Sequence, residues 1–461
     1  MSSRTHYFLA INYFMKKILL KNAHIINEGK QYYADVLIKS GFIEKIAPQI
    51  SNEVVSLEID ASKHYLLPGV IDDQVHFRQP GLTYKANIYT ESKAAVAGGV
   101  TSFMEMPNTN PPTLSQKLLQ EKYDAAQVTS LANFSFYMGA SNDNLEEVLR
   151  TDPTSVCGIK AFLGSSTGNM LLDNDTSLEK LFSTCPMLIA VHCEDEQTIR
   201  DNTAHFKQQY QDKEVTAALH PLIRTEEACF LSSSKAVALA QKHGTRLHVL
   251  HISTAKELAL FNHTLPLAQK KITAEVCVHH LWFSADDYEN WGNFIKCNPA
   301  IKETNNRKAL WNALQNNTLD VIATDHAPHT LSEKQQSYFD APSGIPLVQH
   351  SLLMMLEAVN KGLISIEQVV QKMAHAPATA FKVARRGYIK EGFYADLVLV
   401  AKNKPYTVDK KNILYKCKWS PLEGTIFAHS ISHTFVNGNL VFYKGNFDES
   451  VNGHRMRFLA D

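Results

Sequence analysis

A chain of 461 residues can bury a large core, and 44% hydrophobic with 20% charged residues is ordinary for a water-soluble globular fold. The 46 Lys plus Arg balance 46 Asp plus Glu, so no global basic field points to nucleic acid or to an anionic membrane. The seven cysteines are dispersed with no CxxC pair, which reads as the reduced thiols of a cytoplasmic protein rather than a disulfide framework.

The first residues, MSSRTHYFLAINYFMKK, contain a short apolar patch. It has neither a basic leader nor a small-residue cleavage site, so residues 1–15 are expected to be an N-terminal extension rather than a signal peptide. No apolar run is long enough to cross a bilayer.

Residues 16–67 read as short strands (ILLKNAHII, ADVLIKSGFIEKI, VVSLEIDAS, HYLLPG) punctuated by turn residues. The same texture returns after Gly387 in GYIKEGFYADLVLVAK and HTFVNGNLVFYKG. Residues 16–67 and 385–461 are therefore expected to build one small β-sandwich domain from the two ends of the chain.

Residues 68–384 alternate strand-like apolar runs with helix-like segments. VTSFMEM precedes a helix over Leu114–Gln127, and FSFYMGA precedes one over Asn144–Leu149. VCGIKAFL, PMLIAVHCE, a helix over Glu226–His243 and RLHVLHIS follow, then ITAEVCVHH, FIKCNPA and DVIATDHAPH. Alternation over roughly 300 residues implies a parallel sheet and suits an α/β fold of the (β/α)8 barrel type. A doubly wound sheet is the competing reading, but no GxGxxG opens a helix after the first strand.

Functional groups of such a barrel gather at the C-terminal ends of its strands. Those ends carry Gln74 and His76 in IDDQVHFRQPG, Lys160 in GIKAFLG, His192 in VHCED, His251 in LHVLHIS and Asp325 in ATDHAPH. Gln74 and His76, two apart on a strand, share a face as a chelating pair must. The same alternation separates His251 from His248, and with His251 toward the barrel axis His248 is expected to pack against a helix.

Each residue has a plainer reading: a packed histidine, a snorkelling lysine, an N-cap aspartate. Their coincidence at successive strand ends favours a metal centre. Lys160 would be costly to bury as a cation; carbamylated by carbon dioxide, it would bridge two divalent ions. Asp325, beside a metal-activated water, could take and return a proton. His326 is expected to support this turn.

These stretches, with MPNTNPPT, GIKAFLGSSTG and KCNPAIK, resemble the amidohydrolase superfamily and, within it, the dihydroorotases of the long bacterial type. The resemblance covers nearly the whole chain. It implies reversible cyclisation of N-carbamoyl-L-aspartate to L-dihydroorotate on one or two zinc ions. His76 would hold one ion, carbamylated Lys160 would bridge, His192 and His251 would hold the second, and Asp325 would be both ligand and general acid/base.

Arg78, Asn108 and His329 match the residues that bind the substrate carboxylate, Asn298 a substrate-contacting asparagine, and Gly344 a loop whose backbone meets the ring amide. The pair His279 and His280 also matches and is expected to pack around the site. The resemblance further suggests a homodimer; association with aspartate carbamoyltransferase is conceivable but no residue supports it. Gln74, where the family has histidine, is a neutral and weaker donor, and Gln79 replaces a glutamate common at its place. Another cyclic amidase (an allantoinase or a hydantoinase) and a non-catalytic dihydroorotase-like subunit are the alternatives.

Overall fold

The computed structural model describes residues 17–164, 170–211 and 215–460; the expected extension over residues 1–15 and part of the GIKAFLGSSTG stretch lie outside them. Eight parallel strands form the centre of the chain: β1 (Val70–Val75), β2 (Val100–Glu105), β3 (Asn133–Phe136), β4 (Ile159–Phe162), β5 (Ile189–His192), β6 (Leu247–Val249), β7 (Ile272–Cys277) and β8 (Val321–Ala323). Met138–Gly139 continues β3 and pairs with β4, and a parallel bridge from Val75 to His326 joins the first strand to the end of the last. The sheet is thereby a closed (β/α)8 barrel, which leaves its strands no free edge.

Helices of the expected kind fill the crossovers. Glu226–His243 has Thr225 at its N-cap, acidic residues in its first turn, Lys242 and His243 in its last, and Gly244 in the left-handed conformation beyond it. Side chain and macrodipole agree at both ends, which is why this segment is legible from sequence. FIKCNPA, expected as a strand, is instead a 3-10 turn over Gly292–Ile295 followed by irregular chain. Pro299 offers no ladder donor, and the Lys296 amide is turned back to the Asn293 carbonyl.

The two ends of the chain meet in one nine-stranded sheet. His64–Pro68 runs antiparallel to Leu397–Ala401, joining the N-terminal hairpin Lys17–Lys39 to the C-terminal strands Ser430–Val436 and Asn439–Tyr443. Ile18, Leu20, Ile25, Val36, Leu397 and Phe435 form its core.

Register decides which barrel residues face the axis. Lys160, Ala190, His248 and Thr273 are partners across β4 to β7, so they share one face, as do Phe162 and His192 one step further along. That face is the interior: Ala190 and Leu250 pack there with Ile71, Met104 and Tyr137. The alternate residues Ile159, Ala161, Val191, Val249 and Val276 pack outward under the helices. His248 is thus inside the barrel and not against a helix as alternation from His251 suggested. The parity argument fails because His251 lies beyond β6, with left-handed backbone (φ 42) that swings its side chain back over the mouth.

Candidate active site

Arg78, His251 and Asp325 each follow a strand end, and all three are non-glycine residues with positive φ: 68, 42 and 45. Such backbone costs about 1–3 kcal/mol per residue and persists only where surrounding contacts over-determine it. Here those contacts turn Asp325 onto His76, His251 onto His192 and Arg78 onto His329.

His76 and Asp325 meet at 2.9 Å between Nε2 and Oδ1. The other ring nitrogen, Nδ1, lies 2.8 Å from Asn108 Oδ1 and donates to it, so Nε2 presents its lone pair to the carboxylate. Burial holds the imidazole below its ordinary pKa despite Asp325. Burial also opposes charge on Asp325, but His76 outweighs it and keeps the carboxyl below its usual range. A lone pair facing a carboxylate at hydrogen-bond distance calls for a cation between them.

A second pair stands beside the first. His192 Nε2 donates to Glu194 Oε2 at 3.0 Å, leaving Nδ1 as the lone-pair atom, 2.9 Å from His251 Nε2. Glu194 also pairs with Arg224. Although burial would raise it, Arg224 and His192 hold its carboxyl down at about 2. A carboxylate behind a ligating imidazole is the usual way to set its tautomer and orientation. The sequence signal for Glu194 was its place in VHCED, two residues past His192.

Lys160 is 1% exposed and its Nζ has no hydrogen-bond partner among the described residues. Burial pushes its pKa down to about 7, against nearby Cys193, Asp325 and Glu275. A buried amine partly neutral at physiological pH is nucleophilic toward carbon dioxide. The orphaned amine, the His76–Asp325 pair and the His192–His251 pair together fit divalent ions with nitrogen and oxygen ligands.

Gln74 takes a different part. Its Nε2 donates to Asp325 Oδ1 at 3.2 Å, while its Oε1 accepts from the Cys277 thiol at 3.7 Å. Gln79 Oε1 accepts from the Ile88 amide at 3.2 Å, at the start of the helix Ile88–Ala97. His326 Nε2 meets Glu91 at 2.8 Å and its Nδ1 accepts the Leu347 amide, while its carbonyl receives the His76 amide at 2.7 Å. His279 and His280 are buried close by, with His280 Nε2 donating to the Pro299 carbonyl.

On the loop side, Arg78 NH2 and His329 Nε2 are 3.0 Å apart, and Arg78 Nε donates to the Pro328 carbonyl at 3.1 Å. Lys85, which sequence reasoning missed for want of any motif signal, donates to His329 Nδ1 at 2.9 Å and pairs with Glu333 at 2.8 Å. An ammonium is only a donor, so the ring proton of His329 sits on Nε2, which donates to the Ser343 carbonyl at 3.0 Å. Burial, then Arg78, Lys85 and Lys334, keep this ring neutral. The single N–H of His329 is therefore spent on Ser343, and the Arg78 Nη2 donor beside it meets no acceptor on that ring, which leaves it for an anion.

Gly344 lies within this wall at φ 145, where a Cβ would stand 2.4 Å from the Ala327 carbonyl oxygen and 2.9 Å from the His329 ring. Its amide donates to the Lys296 carbonyl, and its carbonyl accepts from Lys334. Asn298 Oδ1 accepts from His220 at 3.2 Å.

Comparison with known proteins adds the following. Residues 65–441 match the amidohydrolase family. The dihydroorotase of Methanosarcina acetivorans is 33% identical over 450 residues, covering 95% of this chain and 94% of that protein. An allantoinase of Bacillus velezensis is 30% identical over 94% of this chain and 95% of its own length. The L-hydantoinase of Arthrobacter aurescens superposes with a TM-score of 0.90 at 27% identity, over 95% of this chain and 99% of that one.

Proposed function

The chain belongs to the amidohydrolase family, and from that premise we propose that it is a dihydroorotase interconverting L-dihydroorotate and N-carbamoyl-L-aspartate. The observation that carries this reading is the buried Arg78 guanidinium, two residues past the proposed ligand His76, whose Nη2 finds no acceptor on the neutral His329 ring beside it. Dihydroorotate carries a carboxylate beside its cyclic amide, and a guanidinium is suited to receive it. Hydantoins lack that carboxylate, which weighs against the hydantoinase reading.

His76, His192, His251, Asp325 and a carbamylated Lys160 would hold one or two zinc ions, and such an ion would polarise the ring carbonyl and acidify water. Gln74 is assigned as the donor that fixes Asp325 rather than as a ligand. Asp325, held ionised, takes the proton of the attacking water and returns it to the ring nitrogen as the amide C–N bond breaks; ring closure runs the same transfers backwards. Arg78, His329 and the amide of Asn108 hold the substrate carboxylate, and Gly344 and Asn298 line the ring's far edge.

Seven thiols free of disulfides support a cytoplasmic location, and none of the described helices is long and apolar enough to cross a membrane. A homodimer is retained from the family resemblance. The ligand set, complete apart from Gln74, argues against a non-catalytic subunit. Zinc-replete, bicarbonate-treated protein should turn over dihydroorotate and carbamoyl aspartate; absence of turnover in both directions overturns the proposal.

A further inference from the structure

Beneath the ligand set, in the barrel interior, lies a second convergence of donors that the reaction does not use. Asp73 on β1, His248 on β6 and Glu275 on β7 are each fully buried. His248 Nε2 is 3.1 Å from Asp73 Oδ2 and 3.7 Å from Glu275 Oε2. Both Asp73 carboxylate oxygens, His248 Nε2 and Glu275 Oε2 lack a partner in hydrogen-bond geometry among the described residues. Four orphaned polar atoms at one spot are exceptional in a native interior.

The tautomer sharpens the point. Thr273 Oγ1 donates to the Leu247 carbonyl and lies 2.7 Å from His248 Nδ1, so it accepts the Nδ1 proton. His248 Nε2 is left aiming between two carboxylates. As a neutral ring it would press a lone pair against two anions; as an imidazolium, the form that against burial the two carboxylates favour, it balances Asp73 and leaves Glu275 to be neutralised by a proton, which burial and Asp73 favour. A divalent cation on one imidazole and two carboxylates is neutral overall. The 3.1 and 3.7 Å separations straddle the roughly 3.4 Å between ligands of a tetrahedral ion with bonds of about 2.1 Å.

We propose that Asp73, His248 and Glu275 form a buried divalent-cation site, separate in its ligands from the set at the barrel mouth and taking zinc or a similar ion. Its role is positioning. Glu275 Oε1 accepts the His251 amide at 3.0 Å, so an ion held by Oε2 would tie β1, β6 and β7 together and fix the left-handed turn that delivers His251. The proposal does not depend on the identity of the substrate.

The test is metal content rather than turnover. Protein produced with zinc and freed of loose metal by dialysis is counted by inductively coupled plasma mass spectrometry for wild type, Asp73→Asn and His248→Asn. Each variant is checked for fold by circular dichroism. Both variants are expected to carry one zinc fewer per chain than wild type, whereas His192→Asn loses zinc from the upper set and keeps the buried ion. Anomalous diffraction at the zinc edge is expected to place a peak between the three side chains. Equal zinc in wild type and both folded variants, or a zinc-edge map of wild type without that peak, overturns the proposal and leaves an imidazolium clasped by carboxylates. The wild-type map decides alone should the variants not fold.

Discussion

The two halves of the site are built by different means. On the ligand side, Lys160 and His192 sit within β4 and β5, where the parallel ladder fixes each backbone and the barrel core locks each side chain. On the carboxylate side, Arg78, Lys85 and His329 lie on loops and are held chiefly by one another, through Arg78–His329, Lys85–His329 and Lys85–Glu333. In the proposed reaction the groups that do bond chemistry stand on strands or within two residues of their ends, and those that choose the substrate stand on loops that can be exchanged without disturbing the barrel. This accounts for relatives named dihydroorotase, allantoinase and hydantoinase sharing one framework.

If the division is real, the largest loss should come from the strand side. Asp325→Asn keeps the shape but removes the proton acceptor, and kcat is expected to fall about 10²–10⁴-fold, with KM little changed in steady-state assays. A comparable fall in KM-linked binding alone would break the comparison.

Arg78→Ala should act on the other half. Loss of hydrogen bonds to a charged group is worth about 1.5–3 kcal/mol, roughly tenfold to a hundredfold in kcat/KM for dihydroorotate. Hydantoin turnover should barely change, and equal losses on both substrates would remove the carboxylate assignment.

Glu194→Gln tests the support behind His192. Zinc affinity, measured by competition with a chelator, should weaken about 10–100-fold. Lys85→Met is gentler: with the His329 tautomer released, KM for dihydroorotate should rise several-fold, about 1 kcal/mol for one hydrogen bond, at unchanged kcat.

The last effect is on pH. Lys160 titrates at about 7 in the folded protein, against about 10.4 when unfolded. Between these values the unfolded chain binds more protons, so the stability of the metal-free protein rises with pH across that window. Only the neutral amine captures carbon dioxide, so bicarbonate-dependent reactivation should fall as pH drops through about 7. A reactivation rate flat from pH 6 to 8 would remove Lys160 from that role.

Much of this was legible in the chain itself. Strand–helix alternation over residues 68–384 implied the barrel, because each element's hydrophobic period is local, and the two β-rich ends implied a shared sheet. That His76 would meet Asp325 and His192 would meet His251 was legible because strand ends converge in a barrel whatever the details. Tertiary structure decided the rest. His248 went inside because register with Lys160 and Ala190, not distance from His251, sets its face. Gln74 became a donor to Asp325 because its amide meets Cys277 on its other side. Glu194, Lys85 and Asp73 acquired partners 30 to 244 residues away in sequence. Local pattern determines which elements form and which residues crown them; hydrogen-bond direction, tautomer and buried charge exist only once distant strands are side by side.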